Sequence, residues 1–183
     1  MTNPPPPLDR LIRRLTLTIG AATETLEGDM QRAPAWRNEV AAQLRRYHQA
    51  AYLVGAGAKT IDIAAWRFIR EDLATQLKFL GQFAVEIAGA SAWQAGWNAR
   101  AAMYARSIQT PYWRGATKLL PLPAMPGDGS TQCLTNCGCA WDVQAVKGGY
   151  DAYWRRGKND SCQGCVQREA EWAPLQIRDG ELL

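Results

Sequence analysis

Residues 60–88, TIDIAAWRFIREDLATQLKFLGQFAVEIA, carry the longest periodic pattern in the chain. Ile61, Ala65, Ile69, Leu73, Leu77, Leu80, Ala84 and Ile87 recur every three or four residues, the spacing of one face of an α-helix. Phe68, Phe79 and Phe83 widen the stripe, which predicts packing against more than one neighbour. Thr60 is a candidate N-cap, and Asp62 falls in the first turn, where a carboxylate favours the helix dipole. At 1.5 Å per residue the helix would be roughly 43 Å long. A compact globule of this length has a radius of gyration of only about 16 Å. The expected fold is therefore mainly α: an elongated helical bundle.

The same spacing extends in both directions. Leu8, Ile12, Leu15, Ile19, Ala22 and Leu26 mark a first helix, broadened by Leu11 and Leu17 and ended by Gly28-Asp29. Pro34 opens a second, with Trp36, Val40, Leu44, Tyr47 and Ala51 on its stripe, and Gly55-Ala56-Gly57 breaks it. Arg37, Glu39, Arg45 and Arg46 lie off that stripe, as solvated positions should. Beyond the long helix, Ser91 is a candidate cap for Trp93, Trp97, Ala101, Tyr104 and Ile108, and Pro111 should end or kink that helix. Ahead of the bundle, Pro4 to Pro7 read as an extended arm.

The pattern changes after Lys118. Leu119 to Pro126 holds three prolines and cannot be a regular helix, and Gly127-Asp128-Gly129-Ser130 signals a turn. Short strands are expected at Ala140 to Val146, and a last helix from near Cys165 to Trp172, stopped by Pro174. The chain thus divides into an arm (1–7), a helical domain (8–116), a small cysteine-rich module with short β elements (117–175) and a C-terminal tail (176–183).

Composition bounds the function. Hydrophobic residues make up 47% of the 183 and charged residues 21%, enough for a packed core. A net charge of +4 permits contact with nucleic acid but falls short of a dedicated polybasic binder. A single His excludes a His-rich metal centre and HExxH chemistry. The N-terminus lacks the basic and apolar regions of a secretory signal, and no run approaches the ~18 apolar residues of a membrane span. A soluble, intracellular protein with reduced thiols is expected.

All five cysteines lie in the last third: Cys133, Cys137, Cys139, Cys162 and Cys165. The spacing is C-x3-C-x-C, a gap, then C-x2-C. Two tight clusters separated by a loop suit a tetrahedral ion, each turn presenting two thiolates. Gly138 and Gly164 sit within the turns, where knuckle backbones often need positive φ. Cys137 and Cys139 are the preferred first pair, with Cys133 spare or replacing one of them. One structural Zn2+ per chain is the expected cofactor. Buried free thiols, or a disulfide in an oxidised particle, are the other readings of the same residues. A catalytic zinc is not expected, because neither cluster holds a His or carboxylate to leave an open position.

Other features read as scaffold. Val54-Gly55-Ala56-Gly57-Ala58-Lys59-Thr60 looks faintly like a phosphate loop, but Ala58 stands where a glycine should precede the Lys, and a helix precedes it. His48 has no Ser or Cys motif nearby to make it a base. No catalytic residues are expected, and the chain does not read as an enzyme. Arg10, Arg13, Arg14, Arg45 and Arg46 could contact phosphates or simply face solvent. Trp93 and Trp97 belong to a helical stripe before they belong to a base-stacking platform.

Pro126-Gly127-Asp128-Gly129, followed by Asn136-Cys137-Gly138-Cys139, resembles the closing motif of the phage Mu gpF-like head morphogenesis (minor head protein) family. The similarity runs back through residues 79–89 and 99–104, and forward to Cys162-x-x-Cys165 and Trp172-Ala173-Pro174-Leu175. The resemblance implies a virion protein of a tailed phage or prophage, met in the host cytoplasm during assembly. It implies a minor capsid, portal-associated role in head assembly or at the head–tail vertex. The implied partners are the portal and major capsid proteins, within an oligomer, with non-specific DNA contact left open. The same cysteines and modest positive charge also suit a zinc-ribbon nucleic-acid-binding or regulatory module, whose mark would be salt-dependent DNA binding.

Overall fold

The computed structural model describes residues 5–134, 137–157 and 162–183. The protein is mainly helical and ends in a small antiparallel sheet. Helix α1 spans Pro6–Glu24. Pro6 and Pro7 occupy its first turn, where a missing N–H breaks no helical bond. Pro6 and Pro7, expected in an extended arm, are thus helical, and residues 1–4 lie outside the described residues. Leu8, Leu15 and Ile19 are buried. Leu17 is 74% exposed and does not broaden the stripe.

Helix α2 spans Ala33–Ala56, with Pro34 in its first turn. Trp36, Val40, Leu44, His48 and Ala51 form its buried face. His48, not Tyr47, takes the position four residues after Leu44. Helix α3 spans Ile63–Gly89. Its N-cap is Asp62, whose Oδ1 accepts the Ala65 N–H at 2.8 Å. Thr60 stands outside the helix, because Asp62 offers an acceptor one residue before the first turn.

Helix α4, Trp97–Met103, starts at Gly96 in the left-handed region (φ 98°), so Ser91 does not cap it. A 3-10 stretch, Tyr104–Ile108, leads into α5, Gln109–Ala116. Pro111 falls in the first turn of α5, where proline is tolerated. It therefore helps to begin a helix where an end or a kink was expected.

Helices α2 and α5 cross at backbone contact. A Cβ at Gly55 would lie 2.1 Å from the Tyr112 carbonyl oxygen, and one at Gly115 would lie 2.5 Å from the Tyr52 carbonyl oxygen. Gly55 thus serves packing. The apparent phosphate loop is the last turn of α2, closed by Gly57.

Strand β1 occupies Ala140–Val146, the range expected, and pairs with β2, Gly149–Arg155, Trp141 facing Trp154. Helix α6, Gln163–Glu171, follows, with Cys162 at its N-cap. Strands β3, Leu175–Arg178, and β4, Glu181–Leu182, complete a sheet ordered β1-β2-β3-β4. The expected tail at 176–183 is therefore a hairpin. Asp179 (φ 51°) and Gly180 (φ 84°) form its two-residue turn, the Asp-Gly chemistry that matches strand twist. The buried core is continuous from Leu8 in α1 to Ile177 in β3, so the helical and cysteine-bearing parts share one interior. Among the described residues no helix is long and apolar enough to cross a membrane.

Candidate metal centre

The cysteine segment is seated on α5 through the Pro126-Gly127-Asp128 turn. Gly127 takes φ 82°, and a Cβ there would touch Gln109. The Thr110 hydroxyl donates to the Pro126 carbonyl at 3.5 Å. The Asp128 carboxylate accepts the Met125 N–H at 2.7 Å, the Ser130 N–H at 2.9 Å and the Ser130 hydroxyl. The Trp141 indole N–H donates to the Ala124 carbonyl at 2.9 Å, joining β1 to the same segment. The turn motif is thus a hinge pin holding the cysteines against the helices.

All five cysteines are free thiols, and Cys137, Cys139 and Cys165 are buried. Cys133 Sγ lies 3.6 Å from Cys165 Sγ and 3.6 Å from Cys162 Sγ. Cys165 Sγ lies 3.9 Å from Cys137 Sγ and 3.6 Å from Cys162 Sγ. The sulfurs of Cys133, Cys137 and Cys165 all fall within 4.8 Å of one another, close enough to hold a metal ion. A tetrahedron of thiolates about 2.3 Å from an ion has edges of about 3.8 Å. These four separations fit such edges and are far from the ~2.05 Å of a disulfide.

Cys133 therefore stands inside the cluster, in line with the alternative in which it replaces one of the preferred pair. Cys139 is 5% exposed and acts on both Cys137 and Cys165. No glycine supplies the expected knuckle geometry. Leu134 takes the left-handed conformation, φ 47°, while Gly164 lies within α6. Gly138 instead meets Gly157, where a Cβ would lie 2.5 Å from the Gly138 carbonyl oxygen. Asn136, part of the motif that carries the family resemblance, lies outside the described residues.

The thiols do not titrate alike. Hydrogen bonding to Cys139, then burial, pushes the Cys137 thiol up. Burial, then the neighbouring Cys137 sulfur, pushes up Cys165, and burial also raises Cys133. Burial opposes ionisation of Cys162 as well, but backbone hydrogen bonds from Cys165 and Cys133 outweigh it and bring the thiol to about 6. Thiolates this close repel one another, so the cluster can lose its protons together only against a cation.

The same C-terminal part holds a cluster of three tryptophans, one on each of β1 and β2 and one after α6. Trp141 and Trp172 stack at 5.8 Å, and Trp154 meets both edge-on. The Arg168 guanidinium, one turn after Cys165 on α6, lies 4.9 Å from the Trp172 ring centre and 5.3 Å from that of Trp154. Its Nη2 donates to the Ser130 hydroxyl at 3.0 Å. This contact ties α6, and with it Cys162 and Cys165, to the segment leading into Cys133. The readable signal was Arg168 three residues after Cys165, which places both on one helical face.

The other singled-out residues lie elsewhere. His48 is fully buried, its Nδ1 2.8 Å from the Leu44 carbonyl oxygen and its Nε2 3.5 Å from Ser107 Oγ. Burial lowers its pKa to about 4. Arg13 pairs with Asp9 on the outer face of α1, at 2.8 Å. Trp93 and Trp97 meet edge-on at 5.0 Å, and Trp97 is buried.

The fold and this cluster define a helical protein with a C-terminal sheet and a cysteine group able to hold a metal. No family model, curated protein or solved structure matches the chain.

Proposed function

We propose that the chain is a structural protein of a tailed-phage or prophage particle, acting in head assembly or at the portal vertex, with a zinc ion held by four cysteines. The observation that carries this reading is one juxtaposition. The Pro-Gly-Asp turn and the cysteines, which bear the sequence resemblance, form one built element seated on the helical body. Cys133, Cys137, Cys162 and Cys165 are the proposed ligands, on the separations given above. A zinc ion there supplies folding free energy. Four thiolates leave no position for water, so the proposed role is structural, not catalytic.

The reading treats the protein as a component and not an enzyme, in keeping with a sole imidazole that is sealed in the core. Elemental analysis of the purified protein should return one zinc per chain. A chelator should release it and loosen residues 119–175. A folded, metal-free protein with every thiol reactive overturns the zinc assignment. Co-sedimentation with a portal ring tests the particle role. Failure to associate, with salt-dependent DNA binding instead, moves the assignment to a nucleic-acid-binding module.

A further inference from the structure

We infer that the groove between α2 and α3 is a docking site for an acidic amphipathic helix of a partner protein. The groove has a volume of about 730 Å³. Trp66, Leu73, Ala74 and Leu77 of α3 line it, together with Ile63, which is 90% exposed. Ile63, Trp66, Arg70, Leu73 and Leu77 step by three and four along the helix, and the same step continues through Leu80, Ala84 and Ile87. Those last three are buried. One stripe is thus buried at its C-terminal end, half-buried at Leu73 and Leu77, which pack against the core, and exposed at Ile63, Trp66 and Arg70. The stretch that lines the groove, Ile63 to Leu77, is roughly 21 Å long at 1.5 Å per residue, room for about four turns of a second helix. Apolar residues at three- and four-residue spacing are what a docked helix reads.

Charge selects the occupant. Arg45 of α2 and Arg67 and Arg70 of α3 border the groove, against one acid, Glu71. Glu71 is already paired with Arg67 at 3.2 Å. Among the described residues Arg45 and Arg70 have no hydrogen-bond or ion-pair partner. A second copy of this chain would set arginines against arginines, so self-association is disfavoured. A nucleic-acid strand would meet the cations and Trp66, but would leave the aliphatic floor of Leu73, Ala74 and Leu77 without a match. A helix with a leucine stripe flanked by carboxylates satisfies both floor and rim.

The test uses the full chain and two synthetic helical peptides of about five turns, with one leucine stripe at three–four spacing. One carries glutamates along its flanks, the other lysines. The glutamate peptide should bind saturably in calorimetry, at least tenfold more tightly than the lysine peptide. The double substitution Arg45→Glu/Arg70→Glu changes two exposed side chains and should reverse the preference. Three results overturn the inference. The first is binding of neither peptide, or an unchanged preference in the double variant. The second is a wild-type dimer in sedimentation equilibrium that the double variant abolishes. The third is an oligothymidylate that binds the same face more tightly than the glutamate peptide.

Discussion

The chain's sole histidine offers a clean measurement, because no other imidazole titrates with it. His48 is fully buried on α2. Its Nδ1, 2.8 Å from the Leu44 carbonyl, must carry the proton as donor. Its Nε2 faces only Ser107 Oγ at 3.5 Å, and that hydroxyl donates to the Tyr104 carbonyl at 2.7 Å. A second proton would place a charge in the core, with no carboxylate paired to it among the described residues. Burial accordingly lowers the pKa from 6.5 to about 4. The unfolded chain binds the proton at the higher pH, so stability is full above about pH 6.5. It is lost progressively as pH falls to about 4, and this loss stops below that. A difference of about 2.5 pH units corresponds to about 3 kcal/mol. Urea unfolding of the wild type and of His48→Asn should be compared at pH 7.5 and pH 4. Asn can keep a donor for the Leu44 carbonyl but carries no titrating group. The wild type should lose about 3 kcal/mol more than the variant over that interval. Protonation of the cysteine cluster acts on both proteins and cancels in the difference. Equal pH dependence of the two proteins, or an imidazole NMR signal titrating near 6.5 in the folded protein, would refute the reasoning.

Three further outcomes are expected. Gly115→Ala drives a methyl group into the Tyr52 carbonyl oxygen; it should destabilise by about 3 kcal/mol, the upper range for overpacking, read as a lowered urea midpoint with an unchanged slope. Arg114→Met removes the partner that holds Asp72 at 3.0 Å. Burial already raises the Asp72 pKa and Arg114 opposes it, so the variant should lose about 3 kcal/mol at pH 7 and regain part of it in acid, where Asp72 becomes neutral. Cys139→Ser should keep its metal stoichiometry in elemental analysis, whereas Cys137→Ser should not; equal loss in both would place Cys139 among the ligands.

The sequence disclosed those elements whose signals are local. Strand β1 was readable because its ends are set by a cysteine turn and by Lys147-Gly148. Helix α2 was readable from Pro34 and its periodicity, but Tyr47 and His48 compete for one slot on the stripe, and only packing against the 3-10 stretch decides for His48. Ser91 looked like a cap because the left-handed Gly96 that begins α4 leaves no mark distinct from any other glycine. The β3–β4 hairpin was missed although Asp179-Gly180 announces it, since the flanking strands are only four and two residues long. Within the candidate metal centre, spacing grouped the five cysteines but left open whether Cys133 is spare or takes the place of Cys137 or Cys139. The positive φ of Leu134, next to Cys133 in the chain, is a backbone conformation that a leucine does not advertise.

The β1–β2 hairpin has a consequence for how tightly any ion would be held. Cys137 and Cys162 lie far apart along the chain, and closing that loop from a random coil would oppose binding entropically. The hairpin pairs Ala140 with Arg155, and Gly138 touches Gly157. The loop is thus drawn together by the sheet as well as by the sulfurs. Ion affinity and hairpin stability are then linked quantities. A substitution at the Lys147-Gly148 turn, at the far end of β1 from every sulfur, would weaken metal retention by as much as it weakens the pairing of the two strands.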